Sequence, residues 1–128
     1  MKIEKLHHIA IICSNYEVSK NFYTNILGFK IEQEDYRAER ESYKLDLSLN
    51  GTYLIELFSF PNPPHRPTRP EATGLRHIAF GVTDIEDWFA YLKIHNINPE
   101  PIRVDEFTNR KFTFFNDPDL LPIEIYEV

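Results

Sequence analysis

His8-Ile9-Ala10 recurs as His77-Ile78-Ala79, and each copy is followed at nearly the same distance by an Ile-Glu pair, Ile55-Glu56 and Ile123-Glu124. The His-to-Glu separation is 48 residues in the first copy and 47 in the second, so the chain reads as one unit written twice. Duplication constrains the fold, because both copies must follow the same course of elements and equivalent residues must occupy equivalent places in it. The repeated pairs are two imidazoles and two carboxylates, which are ordinary ligands of a divalent cation.

The segments after each His also match. Ser14-Asn15-Tyr16-Glu17 aligns with Thr83-Asp84-Ile85-Glu86 at an offset of 69 residues, the same offset as the histidines. Each reads as a capping box, with Ser14 or Thr83 accepting from the amide three residues on and Glu17 or Glu86 reaching back. Val18, Phe22, Ile26 and Leu27 then fall at helical spacing, as do Ile85, Phe89, Leu92 and Ile94, and Gly28 is placed to close the first helix in a left-handed conformation.

Residues 29–36, 43–49 and 52–58 read as strands, the last two joined by the hairpin signal Asn50-Gly51. The second copy repeats the order, with strands over 75–82, 102–105, 111–115 and 121–126, a helix over 84–95, and the turn Asn116-Asp117-Pro118-Asp119. Module 1 is thus expected at about 4–60 and module 2 at about 74–128, the two forming a single domain over 1–128. Between them, residues 61–73 include five prolines in the ten positions 61–70. That composition excludes a central strand or helix and predicts a stiff, extended linker, which could also form one lip of a pocket and offer Arg66 or Arg69 to an anion.

Composition narrows the function classes. A chain of 128 residues with 42% hydrophobic content can bury one compact core. Its net charge of −6 speaks against nucleic acid, which calls for clustered Lys and Arg. Cys13 is the single cysteine, so no intrachain disulfide can form; it reads as structural, in a reducing, cytoplasmic setting. No apolar run approaches the roughly 20 residues of a membrane span, and no signal-peptide pattern opens the chain, so a soluble protein without a membrane partner is expected.

Alternation places His8, Ala10 and Ile12 on one face of the first strand and Ile9 and Ile11 on the other. His77, Ala79 and Gly81 sort in the same way, Glu56 opposes Ile55 and Leu57, and Glu124 opposes Ile123 and Ile125. The helices need an apolar face to pack on, which leaves the His/Glu face to line a concavity. Carboxylates on such a face are costly without a counter-charge, and a divalent cation supplies one. A solvated sheet face would alternate identically; four equivalent positions in two repeats favour the metal. His7 falls on the opposite face in this scheme, and His65 and His95 carry no role.

The paired strand-helix-three-strand modules, the helix end Phe22-Tyr23-Thr24-Asn25-Ile26-Leu27-Gly28-Phe29 and the turn Asn116-Asp117-Pro118-Asp119 before Ile123-Glu124 resemble the vicinal oxygen chelate superfamily. Within it the chain is most similar to small glyoxalase I-like proteins. The resemblance implies an α+β fold of two tandem βαβββ modules forming an eight-stranded, cup-shaped mixed sheet. It also implies one divalent ion per site, held by His8, Glu56, His77 and Glu124, with Zn, Ni, Co, Mn or Fe all compatible with the donor set. The implied activity is that of a lyase or isomerase acting on a small 2-oxoaldehyde thiol adduct or related carbonyl compound, through a metal-stabilised enediolate. Glu124 matches the family's catalytic base. The resemblance leaves open a homodimer, with ligands drawn from one chain or two.

Two departures bear on the substrate. Enzymes acting on glutathione adducts commonly carry an Arg four residues past the first His, where this chain has Ile12, and the final turn reads Asp119-Leu120-Leu121-Pro122 where the family often has Asp-Gly. Candidate substrate contacts are Arg37, Arg40, Arg69, Arg103 and Arg110. Three alternatives share the fold: an epimerase on an acyl thioester, a thiol transferase that inactivates an epoxide antibiotic, and a metal-free, drug-binding module. The last would stack aromatics on its ligand, although most of Tyr36, Tyr43, Phe58, Phe107, Phe112 and Tyr126 are expected in the core.

Overall fold

The computed structural model describes residues 1–128, which divide into two compact units, Met1–Pro64 and His65–Val128. The division falls inside the proline-rich segment. In the first unit β1 (Ile9–Cys13) leads through α1 (Tyr16–Asn21) to β2 (Lys30–Arg37), β3 (Ser42–Leu49) and β4 (Thr52–Ser59). The second repeats the course as β5 (Ile78–Val82), α2 (Ile85–Ile94), β6 (Arg103–Val104), β7 (Lys111–Asn116) and β8 (Pro122–Glu127). The eight strands make two four-stranded mixed sheets, ordered β1-β4-β3-β2 and β5-β8-β7-β6. In each the first strand runs parallel to the last, as a strand-helix crossover requires, and the other pairs are antiparallel.

Each helix buries one side against its own sheet, α1 on β4 and α2 on β8. The faces beneath are Ile11, Cys13, Leu45, Leu47, Ile55 and Leu57 in the first unit and Ile78, Val82, Phe115, Ile123 and Ile125 in the second, all buried. These are the alternate positions to the His/Glu face.

The helix caps lie one residue later than the capping boxes predict. Asn15 and Asp84, in extended conformation, accept from the amides of Val18 and Asp87. An Asn or Asp side chain reaches the third amide of the first turn as a Ser or Thr does. Glu17 and Glu86 therefore sit inside the first turn, where the helix dipole favours a carboxylate. Tyr16, Ser19, Phe22, Tyr23 and Leu27 are buried, so of the expected apolar stripe Phe22 and Leu27 face inward while Val18 is exposed, and Ile94 at the end of α2 is exposed as well. A π-helical turn over Phe22–Ile26 extends α1 and closes at Gly28, whose φ is +84°.

A two-residue Asn50-Gly51 turn sets Leu49 opposite Thr52 and Ser48 opposite Tyr53; continued without interruption it would place Asp46 opposite Ile55. An irregularity at Leu54 shifts the register by one, pairing Leu47 with Ile55 and Asp46 with Glu56. Apolar then faces apolar and polar faces polar. The same shift brings Tyr53 onto the Glu56 face.

β5 is shorter than the 75–82 expected. The carbonyls of Leu75 and Arg76 accept from Arg66 Nη2 rather than from a neighbouring strand.

Candidate functional site

His8 and His77 each stand one residue before a strand, and each reaches the Glu of the parallel partner strand. His8 Nε2 lies 3.2 Å from Glu56 Oε2, and His77 Nε2 lies 3.1 Å from Glu124 Oε2. The registers Ala10–Glu56 and Ala79–Glu124 produce this, because the methyl side chains leave room above the carboxylates. Both carboxylates are mostly covered, at 15% and 14% side-chain exposure.

The surroundings of the two pairs differ. Glu56 lies opposite Asp46 and takes Lys44 Nζ at 3.1 Å, and Lys44 also binds Asp46 at 2.6 Å. Burial pushes the Glu56 carboxyl up, but the Tyr53 hydroxyl, Lys44 and His8 together hold it below its ordinary value. Burial first, then the bond to Glu56, raise the Tyr53 phenol well above its ordinary value. The Asp46 carboxylate does the same for Lys44. Glu124 instead lies opposite Phe114, whose ring meets His77 edge-on at 5.1 Å, and the partner of its carboxylate is His77.

His7 departs from the alternation argument, which applies only inside a strand. Preceding β1, its ring packs on Tyr53, and its Nδ1 lies 2.8 Å from His8 Nδ1. His7 thus orients His8 from beside the site rather than facing away. His77 Nδ1 is buried with no hydrogen-bond partner.

A nitrogen and an oxygen held by one ion at about 2.0–2.2 Å stand about 3 Å apart on neighbouring vertices. Both pairs have that spacing, and imidazole with carboxylate is a suitable donor set, so the residues fit a divalent cation. The spacing also suits a direct His–Glu ion pair. Each unit contributes one such pair, and no group of three or more His, Cys, Asp or Glu side chains is gathered into a metal-holding cluster.

The candidate arginines fall in both units. Arg37 lies over Phe58 at 4.9 Å and donates to Ser42 Oγ, and Arg40 lies over Phe60. Arg103 lies over Phe112 at 4.9 Å and pairs with Glu100. Arg69 pairs with Glu71. Arg110 is exposed in the loop before β7. Arg69 and Arg103, joined by Arg66, Arg76 and His77, line a cavity of about 450 Å³ in the second unit. The linker is therefore a lip of this cavity as well as a connector. Arg76, Tyr53 and Lys44 are the residues that sequence reasoning missed; adjacency to His77 was the available signal for Arg76.

None of the six aromatics expected mainly in the core is buried, and Phe107 is almost fully exposed. Phe58, Phe112 and Tyr126 share the strand faces of Glu56 and Glu124, whereas the core aromatics are Tyr16, Phe22, Tyr23, Phe29 and Phe115.

A mixed-sheet βαβββ unit, repeated, with His and Glu paired across its two parallel strands, defines a glyoxalase-type fold. Residues 5–125 match the family model described as the Glyoxalase/Bleomycin resistance protein/Dioxygenase superfamily, and the chain belongs to it. It is 60% identical to the uncharacterized protein YaeR of Escherichia coli, over 98% of this chain and 97% of YaeR. It is 31% identical to the metallothiol transferase FosB of Staphylococcus epidermidis, over 97% of this chain and 84% of FosB. The crystal structure of a glyoxalase family protein from Enterococcus faecalis superposes with a TM-score of 0.91 at 49% identity, covering 99% of this chain and all of that one. No helix is long and apolar enough to cross a membrane.

Proposed function

We propose that the protein is a divalent-metal-dependent lyase or isomerase of the glyoxalase I type, acting on a small 2-oxoaldehyde thiol adduct or a related carbonyl compound. His8, Glu56, His77 and Glu124 are its metal ligands, and Glu124 is its base. The observation that carries this reading is the inequality of the two His–Glu pairs. Glu56 is tethered by Lys44 and Tyr53, while Glu124 is held by His77 alone against an aromatic wall.

A bound divalent ion would supply Lewis-acid stabilisation of the oxyanion that develops when a carbon acid beside a carbonyl loses its proton. Glu124, free of a second tether, takes that proton at its carboxylate and returns it to the neighbouring carbon. Glu56 keeps its charge and position through Lys44 and Tyr53. Phe114, directly across the strand pair from Glu124, shields one side of that carboxylate.

The test is metal analysis of the purified protein after exposure to Zn, Ni, Co, Mn or Fe, followed by a proton-exchange assay in D₂O on 2-oxoaldehyde thiol adducts. One ion per chain with exchange activity is expected. Absence of metal uptake, with micromolar binding of a flat cationic compound, would replace this reading with a metal-free binding module. The likeness to FosB favours a second reading, thiol transfer to an epoxide, which an epoxide-plus-thiol assay on the same metal-loaded protein distinguishes.

A further inference from the structure

We propose that His7 is the positioning residue that prepares His8 as a ligand: its Nδ1 accepts from the Nδ1–H that His8 must carry when its Nε2 is given to a cation. The inference rests on the proposed function in taking His8 as a ligand, and goes beyond it in making the two ligand histidines unequal.

The chemistry of imidazole is the first argument. A neutral ring has one N–H and one lone pair, so a histidine that ligates through Nε2 holds its proton on Nδ1 and needs an acceptor there. His8 Nε2 is the nitrogen turned to the carboxylate, 3.2 Å from Glu56 Oε2, and its Nδ1 lies 2.8 Å from His7 Nδ1. Two nitrogens at that distance are joined by one shared proton. With His8 as the donor, His7 keeps its own proton on Nε2.

The bracing of His7 is the second argument. Its ring meets Tyr53 edge-on with centroids 5.3 Å apart, and it meets the His8 ring edge-on at 5.1 Å. Tyr53 also contacts the His8 ring at 5.6 Å, and its hydroxyl donates to Glu56. One tyrosine therefore braces the acceptor, the ligand and the paired carboxylate together.

The second unit lacks every part of this arrangement. Arg76 precedes His77, and a guanidinium has donors but no acceptor; it turns instead to Glu71, at 3.2 Å. The counterpart of Tyr53, three residues before Glu124, is Leu121, which is buried in the core. His77 Nδ1 is accordingly buried without a hydrogen-bond partner. An outer acceptor fixes the tautomer and ring orientation of a ligating histidine and raises its basicity, and losing one typically weakens metal binding by about 10–100-fold. His8 is thus the prepared imidazole of the pair, and His77 is the unprepared one.

The test uses the full chain freed of metal by a chelator, with Zn²⁺ as the probe and affinity read by competition against a chromophoric chelator. His7→Phe keeps a ring against Tyr53 and removes the acceptor, whereas His7→Asn gives up the ring and puts an amide oxygen close to where Nδ1 stands. Zn²⁺ binding should weaken by about 10–100-fold in His7→Phe, and His7→Asn should recover most of it. A residue that only packs would give the reverse order. Nitrogen NMR of the Zn²⁺-loaded parent should show His8 protonated on Nδ1, His7 protonated on Nε2, and a nitrogen–nitrogen coupling across the bond between the two Nδ1 atoms. Parent affinity in a folded His7→Phe protein, weaker binding in His7→Asn than in His7→Phe, or a His7 ring protonated on Nδ1 in the loaded parent would overturn the proposal. When the parent binds Zn²⁺, any of these results removes this inference alone. A parent that binds no Zn²⁺ removes the metal reading, and the ligand role of His8 with it.

Discussion

His77 Nε2 lies 3.1 Å from Glu124 Oε2 with no second side chain tethering that carboxylate, whereas the equivalent Glu56 beside His8 is also gripped by Lys44 and Tyr53. Duplication made the two pairs equivalent in position; their cross-strand neighbours, Asp46 in one sheet and Phe114 in the other, made them unequal in freedom.

Glu124→Gln should lower proton-exchange turnover by about 10²–10⁴, the usual worth of a positioned acid-base group, with the fold intact by circular dichroism. Unchanged turnover would remove Glu124 as the base.

Tyr53→Phe should destabilise the protein by about 1–2 kcal/mol at neutral pH, because the Glu56 carboxylate loses a hydrogen bond in a half-buried place. Glu56 has a depressed value in the fold, so the stability it contributes is present above the unfolded carboxyl value of about 4.3 and is lost as pH falls through the folded value. The gap between the two proteins in urea denaturation should therefore narrow below about pH 4. A gap independent of pH would show that the hydroxyl acts without the carboxylate.

Leu120→Gly should stabilise the fold by about 0.5–1 kcal/mol. Leu120 has φ of +67° and is more than half exposed, so the left-handed strain of an L side chain outweighs the burial it gains. The carbonyl that accepts from Thr68 belongs to the backbone and survives the change. A fall in thermal midpoint would contradict this.

Lys20 and then the Tyr16 hydroxyl hold the Glu34 carboxyl below its ordinary value. The pair with Lys20 is about a third exposed, so screening keeps its worth below about 1 kcal/mol. That contribution is present above about pH 4.3 and disappears as acid protonates Glu34 in the fold. Glu34→Gln should be slightly less stable than the parent at pH 7, and the difference should shrink as pH falls from about 4.3 through the folded value. Equal stability at pH 7 would show that the pair contributes nothing.

Amino-acid order alone determined the repeat, the course of strands and helices, and which face of β4 and β8 carries Glu. Duplication and period-two alternation are local properties that need no partner to be read. That His8 meets Glu56 and His77 meets Glu124, as two separate pairs, came from the parallel registers Ala10–Glu56 and Ala79–Glu124, which only the folded sheets display. Tertiary structure decided what stands around them. The one-residue shift at Leu54 places Tyr53 beside Glu56, and no periodicity encodes such a shift. The caps fell to Asn15 and Asp84 because several polar side chains in a row compete for the same amides. Arg76 became part of a cavity only because the proline-rich segment folds back and is buckled by Arg66. Contacts between residues distant in the chain depend on register and loop closure, which are settled by packing free energy summed over a whole unit rather than by any local run of residues.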